Sequence, residues 1–136
     1  MTAGAITATA SSIAAGECTA AAAVQEVLIR IDERDGDLGS VVALRAEQAL
    51  AEAADLDEVL ARTGEVVGPL HGVPVLVKDL EDVAGMPTRK GSKLFEHAAP
   101  ATVDEVVPAL LRAAGAVLVG KTNLPEFATE IGRAHV

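Results

Sequence analysis

The chain has 136 residues, enough for one ordinary domain, and half of them are hydrophobic, which argues against disorder. Alanine alone accounts for 27 of them, so the core is thinner than that fraction suggests. A formal net charge of -9 disfavours nucleic acid and anionic membrane surfaces as partners. With Phe95 and Phe127 as the only aromatic residues, platforms for stacking bases or sugars are nearly excluded.

The N-terminus lacks the basic and leucine-rich regions of a signal peptide, and no apolar run approaches the ~20 residues of a membrane span. A soluble, cytoplasmic protein is expected. A short helix is predicted over residues 8–15, stopped at Gly16. Cys18 is alone, cannot form an internal disulfide, and reads as a small packing residue. Thr19 can cap a second helix from Ala20 to about Glu33, with Val24, Val27, Leu28 and Ile31 on one face. The glycines of RDGDLGS break it. Val41–Leu44 could be a strand or the approach to the next helix, which runs from Ala46 to Arg62 and ends at Gly64.

The texture then changes. VVGPLHGVPVLVKD is rich in Gly, Pro and β-branched residues, and its unbroken apolar run predicts a strand buried on both faces, starting near Pro74. EDVAGMPTRKGS reads as a loop. A helix comes next, for which Thr102 and Glu105 have capping-box spacing and Val106, Val107, Leu110 and Leu111 form an apolar face. Pro108 conflicts with a start at Thr102, so the helix either begins later or kinks there. Gly115 ends it and residues 116–119 form another buried strand. Strand, long connection, helix, strand is the pattern of a crossover unit. The fold class is therefore α/β: N-terminal helices followed by part of a mixed β-sheet covered by helices. In isolation both strands are expected to leave edges and faces uncovered.

Lys78 closes the apolar run. A charged residue where a strand reaches solvent is common, and Asp79 could screen it. The functional reading asks more: desolvation favours the neutral amine, which can then accept a proton from a hydroxyl. The sequence supplies the apolar approach to Lys78 but not the proof of burial. His71, in the GPLHG turn, reads as a histidine bonded to backbone, and His97 as a surface residue. No His/Cys/Asp/Glu spacing fits a metal site and no glycine-rich phosphate cradle occurs, so neither metal nor cofactor is expected.

The blocks GPLHGVPVLVKD, DVAGMPT and GS, followed by LRAAGAVLVGKTNLPEFA, resemble the N-terminal part of the amidase signature family over residues 68–128, and the preceding helices are similar to that family's lead-in. The resemblance implies hydrolysis of carboxylic amides to acid and ammonia or amine by a Ser–cis-Ser–Lys triad. Lys78 falls on the family's general base, acting through a bridging serine, and Asp79 on the acidic residue after it, in a supporting role. Gly91-Ser92 and Gly120–Asn123 match further blocks without catalytic roles.

Family members carry both serines in a later Gly/Ser-rich stretch, and Ser11, Ser12, Ser40 and Ser92 are not in that setting. Residues 1–130 are thus expected to be the N-terminal portion of one amidase domain, inactive alone. The closing IGRAHV departs from the family's continuation and matches a translated sequencing adapter, so 131–136 are expected to be a non-native tail, and His135 is no ligand. The implied partner is a small amide substrate. Two alternatives stand: the A subunit of the tRNA-dependent amidotransferase, which shares these blocks, and a noncatalytic α/β binding module.

Overall fold

The computed structural model describes residues 4–129, and the tail at 131–136 lies outside them. Three helices come first, interrupted by one strand: α1 (Ala5–Ala14), α2 (Ala20–Arg34), β1 (Val41–Leu44) and α3 (Ala46–Thr63). Thr19 caps α2 as the sequence predicts, its side chain accepting from the Ala22 N–H. A second device reinforces that end: both oxygens of Asp57, on α3, accept from the N–H groups of Ala20 and Ala21 at 2.7 and 3.0 Å. The carboxylate meets the positive end of α2 and joins the two helices. Gly64 ends α3 in the left-handed conformation at φ 70°.

The remaining elements are β2 (Pro74–Lys78), α4 (Val106–Ala113) and β3 (Val117–Thr122), with single 3-10 turns at Lys93–Phe95 and Glu126–Ala128. The sheet order is β1-β3-β2. β2 and β3 run parallel, joined by the expected crossover through α4, and β1 is antiparallel to β3. Only part of the expectation of uncovered edges is met: β3 is the central strand, paired on both sides, whereas β2 has one neighbour. β3 is also longer than predicted, reaching Thr122.

Each face of the sheet has its own core. On one side Val117 and Val119 pack with Ile13, Ala20, Val24, Ala49 and Ala53, all fully buried, and Leu76 leans against them. The small alanines let α2 and α3 approach each other and β3 closely, which explains how an alanine-rich chain can form a dry interior. Cys18 packs at the edge of this cluster, in keeping with a structural role. On the other side Val77 and Leu118 pack with Val83 and Met86 from the loop after β2.

α4 differs from its prediction. It starts at Val106 with Glu105 as the N-cap residue, so the Thr102 capping box does not form. The acidic residues are used elsewhere: Asp104 accepts from the Ala84 N–H at 2.8 Å and Glu105 from the Asp82 N–H at 3.1 Å, both tying down the loop. The late start puts Pro108 in the first turn, where a missing N–H costs nothing. The predicted apolar face is met only at Leu111, which packs half-buried against Val77, Val83, Met86 and Leu118; Val106, Val107 and Leu110 are exposed, and the fully buried residue of the helix is Pro108.

An ion-pair network joins the N-terminal cap of α3, the body of α3 and α4. Glu52 accepts from Arg45 at 2.6 and 2.8 Å and from Arg112 at 2.9 Å, while Arg112 also pairs with Asp104 at 2.8 Å. Partial burial works to raise the Glu52 carboxyl, but the hydrogen bond and charge of Arg45, with those of Arg112, outweigh it and hold it below the ordinary carboxylate range. A carboxyl more acidic in the folded chain than in the unfolded one stabilises fully above its unfolded value and loses that contribution as pH falls through the folded one. Asp35 acts in the same direction, held low by the hydroxyl of Ser40 and then by the Val41 N–H. Stability should therefore decline below about pH 5. In Glu52→Gln, urea unfolding between pH 7 and pH 3 should show a shallower decline than in the unaltered chain; an identical pH dependence would refute the assignment.

Candidate active site

β2 and β3 are parallel, so their carboxyl ends emerge side by side, the usual position for a site in a parallel sheet. Lys78 pairs there with Thr122, and one residue earlier Val77 pairs with Lys121. Paired residues of parallel strands share a face and successive residues alternate, so Lys78 and Lys121 project on opposite sides of the sheet.

The two lysines have opposite environments. Lys78 is exposed, and its ammonium makes no hydrogen bond or ion pair among the described residues. The expectation that Lys78 is held dry is thus not met within this chain: it is the last residue of a strand at the sheet edge, on the face away from the loop after β2. The buried lysine is Lys121, with 0% exposure. Its ammonium donates to Thr88 Oγ1 at 2.6 Å and to the Pro87 carbonyl at 2.9 Å, and pairs with Asp79 Oδ1 at 3.3 Å. Two hydrogen bonds and a carboxylate at ion-pair distance compensate the charge, the condition under which an ammonium can be buried.

Asp79 is therefore not a screen for Lys78. It is 3% exposed and turned to the opposite face, towards Lys121. Its oxygens also receive the Arg89 N–H at 3.2 and 3.3 Å, its own N–H donates to the Thr122 carbonyl at 3.0 Å, and its carbonyl accepts from the Lys90 N–H at 3.0 Å. Every polar group of the residue following Lys78 is thus engaged. Thr88 completes the assembly by donating to Asp82 Oδ1 at 2.6 Å.

The block around Gly91-Ser92 is locked to the segment after β3. Ser92 Oγ donates to Glu126 Oε1 at 2.5 Å, and the Phe127 N–H donates to the Lys90 carbonyl at 2.8 Å. Gly91 has φ 63°, and a Cβ there would lie 2.5 Å from the Leu124 carbonyl oxygen. Phe95 and Phe127 meet edge to face at 5.9 Å, with the Lys90 ammonium over the Phe95 ring. Lys90, Phe127 and Ala128 all adopt left-handed φ near 55°, a conformation that costs non-glycine residues about 1–2 kcal/mol each. The packing of the two segments holds these three residues there.

Ser92 is committed to Glu126, Ser40 donates its hydroxyl to Asp35, and Ser12 donates to Glu17 at 2.9 Å. None of them bonds Lys78. His71 is buried, with Nδ1 accepting from the Val67 N–H at 3.0 Å, the backbone role read from its turn; His97 is exposed. Lys121 is the residue that sequence reading missed. No local signal marks it, since its burial depends on its register beside Val77 and on Asp79 arriving from the end of the neighbouring strand.

The amidase family model matches residues 22–135, and the chain belongs to the amidase signature family, whose enzymes act on amide C–N bonds. It is 42% identical over 119 residues to the A subunit of glutamyl-tRNA(Gln) amidotransferase from Streptomyces coelicolor, covering 88% of this chain and 24% of that protein. It is likewise 42% identical over 116 residues to the AtzE subunit of 1-carboxybiuret hydrolase from a Pseudomonas species, covering 85% and 25%. The structure of peptide amidase from Stenotrophomonas maltophilia superposes with a TM-score of 0.83 at 37% identity, over 94% of this chain and 26% of that one. The chain thus spans about a quarter of the length of the curated relatives it matches.

Asp79→Asn leaves the Lys121 ammonium buried without its counter-charge. Breaking a buried pair in this way costs about 3–5 kcal/mol. The urea midpoint of the Asp79→Asn chain should fall accordingly, and a midpoint within error of the unaltered chain would contradict the burial of the pair.

Proposed function

We propose that this chain is the N-terminal portion of an amidase that hydrolyses carboxylic amides to the acid and ammonia or amine, with Lys78 as the general base. The observation that carries the reading is the position of Lys78: a free amine at the carboxyl end of a parallel strand, unpaired among the described residues although a carboxylate is its immediate neighbour in sequence. An ammonium locked to Asp79 would be a poor base; with Asp79 engaged on the other face, the amine is left available.

In this reading the neutral amine of Lys78 takes a proton from a bridging serine, which in turn takes one from the attacking serine hydroxyl. The acyl group passes to that serine, the amine leaves with the returned proton, and water releases the acid. Backbone N–H groups would stabilise the oxyanion. The two serines and the oxyanion donors belong, by family resemblance, to a Gly/Ser-rich segment not found within these residues; Ser12, Ser40 and Ser92 are each bonded to a carboxylate. Asp79 takes a supporting role as the residue that fixes the backbone next to the base.

The likeness to the amidotransferase supports a second reading in the same chemistry, in which the nitrogen released from the amide passes to an acyl acceptor rather than to solvent. Identity to the hydrolase and to the amidotransferase is the same, 42%, so residues outside this stretch would set the acceptor.

The 136-residue chain alone should show no amide hydrolysis. In a chain extended through its own downstream coding sequence to the length of the relatives, Lys78→Ala should remove at least about 99% of turnover, since a general base contributes roughly 10²–10⁴-fold. Near-normal turnover by that variant would overturn the assignment of the base. Turnover of glutamine only in the presence of a tRNA-linked acceptor would favour the amidotransferase reading.

A further inference from the structure

The amine at position 78 sits on the last residue of β2, and the chain then makes a long excursion through the loop before it is tied back at Arg89 and Lys90. A base at such a junction is only as well aimed as the junction is rigid. The loop's own regular structure is slight: two isolated bridges, Ala84 to Ala101 and Pro87 to Pro100, and no helix or ladder between residues 79 and 90. Its two ends are bonded to each other through Asp79, which receives the Arg89 and Lys90 N–H groups, and a further group braces that junction.

Lys121 does so from beneath. Its single ammonium reaches the start of the loop at Asp79 and the end of the loop at Pro87 and Thr88. The lysine itself is held on the central strand, where its backbone is paired with Val77 on one side and Ala43 on the other. The groups that face it are Asp79 from the end of β2 and, through the Thr88 hydroxyl, Asp82 from the loop; Val77 and Ala43 from the neighbouring strands are uncharged. A fully buried charge is costly, and hydrophobic replacements of buried ion pairs are often neutral or stabilising. A role that a methionine could not fill is therefore needed to account for it. The geometry supplies one: two directed N–H groups and an ion pair define the relative position of two loop ends, which an apolar side chain of the same length cannot.

We propose that Lys121 is a positioning residue for the amine of Lys78, acting through Asp79, Pro87 and Thr88 on the backbone that carries it. The inference rests on the reading of Lys78 as the base, but it makes its own claim about the chain: the buried ammonium controls the environment of an amine on the opposite face of the sheet. Charge balance alone is a different role, and a pair of variants separates the two. Lys121→Met leaves Asp79 unpaired and tests both roles together. Lys121→Met combined with Asp79→Asn removes both charges, so that stability can recover while the directed ties to Pro87 and Thr88 stay lost. Thr88→Val keeps the ion pair and removes one tie, and serves if the first variant does not fold.

The test uses the 136-residue chain. Trace acetylation with acetic anhydride, quantified at each lysine by mass spectrometry, compares Lys78 with the exposed Lys93 as internal reference. In the unaltered chain Lys121 should label at least about tenfold more slowly than Lys93, since it reacts only from opened states. In the doubly altered chain the urea midpoint should recover relative to Lys121→Met, yet the Lys78-to-Lys93 ratio should stay displaced by about twofold or more, the scale of coupling through a packed network. Thr88→Val should displace the ratio in the same sense by a smaller factor. Ratios unchanged in both variants, with folding intact by circular dichroism, would overturn the proposal. A ratio restored together with stability in the double variant would also overturn it and reduce Lys121 to charge compensation. Failure of the base assignment reads differently, as retained turnover in Lys78→Ala of the extended chain. In that extended chain Lys121→Met should lower kcat while leaving KM within about twofold, the signature of an interaction that matters in the transition state rather than in substrate binding.

Discussion

The structure depends on one buried charge pair. Lys121, fully enclosed beneath the loop after β2, and Asp79, the first residue beyond β2, meet at 3.3 Å on the face of the sheet away from the N-terminal helices. A lone ammonium in that position would be prohibitive; with a carboxylate, a hydroxyl and a carbonyl it is satisfied. This pair sets the course of the loop, the engagement of Asp79 away from Lys78, and the point where the strand hands its last residue to solvent. The same pair also keeps β2 and β3 in register at their carboxyl ends, because Asp79 donates its N–H to Thr122 while its side chain meets Lys121.

Around this pair the chain divides its labour by face. The helical side is an alanine-mediated contact in which Ala49 and Ala53 let α3 sit close to β3 and α2, and Asp57 holds the N-terminus of α2. The loop side has fewer apolar residues, with Val83 and Met86 as its core contributions, and relies on directed polar contacts: Asp104 and Glu105 to backbone N–H groups, Thr88 to Asp82, and Ser92 to Glu126. Directed contacts fix position better than apolar ones, which suits a loop next to a site. The left-handed residues Lys90, Phe127 and Ala128 fit the same picture, since strained backbone persists only where surrounding contacts over-determine it.

Much of this architecture is legible in the sequence because the signals are local. Thr19 before an apolar-periodic run, Gly64 and Gly115 after one, and Pro74 at the head of a β-branched run each mark a boundary through their own backbone chemistry, and each boundary is where the structure has it. The misses are those in which a distant partner decides. Thr102 and Glu105 have the spacing of a cap, but Glu105 reaches back to Asp82 and the helix begins later. Lys121 in GKTN looks like any charged residue at a strand end; it is buried because the register shift between β2 and β3 carries it inward beside Val77. Asp79 adjoins Lys78 in sequence and yet faces away from it, a consequence of strand alternation that the residue types alone do not resolve. For the site, the residue that a family resemblance assigns as the base could be named in advance, whereas the buried lysine that supports it could not.

The central claim, that a buried ammonium at Lys121 anchors the end of β2, is tested most directly by nitrogen-15 NMR of the lysine side chains in the 136-residue chain. Lys121 should give a resolved ammonium signal whose protons exchange with water slowly enough to be observed at neutral pH, with contacts to the Thr88 side chain, while the amine protons of Lys78 and Lys93 exchange too fast to appear. A Lys121 signal that exchanges like those of the exposed lysines, without contact to Thr88, would contradict the account.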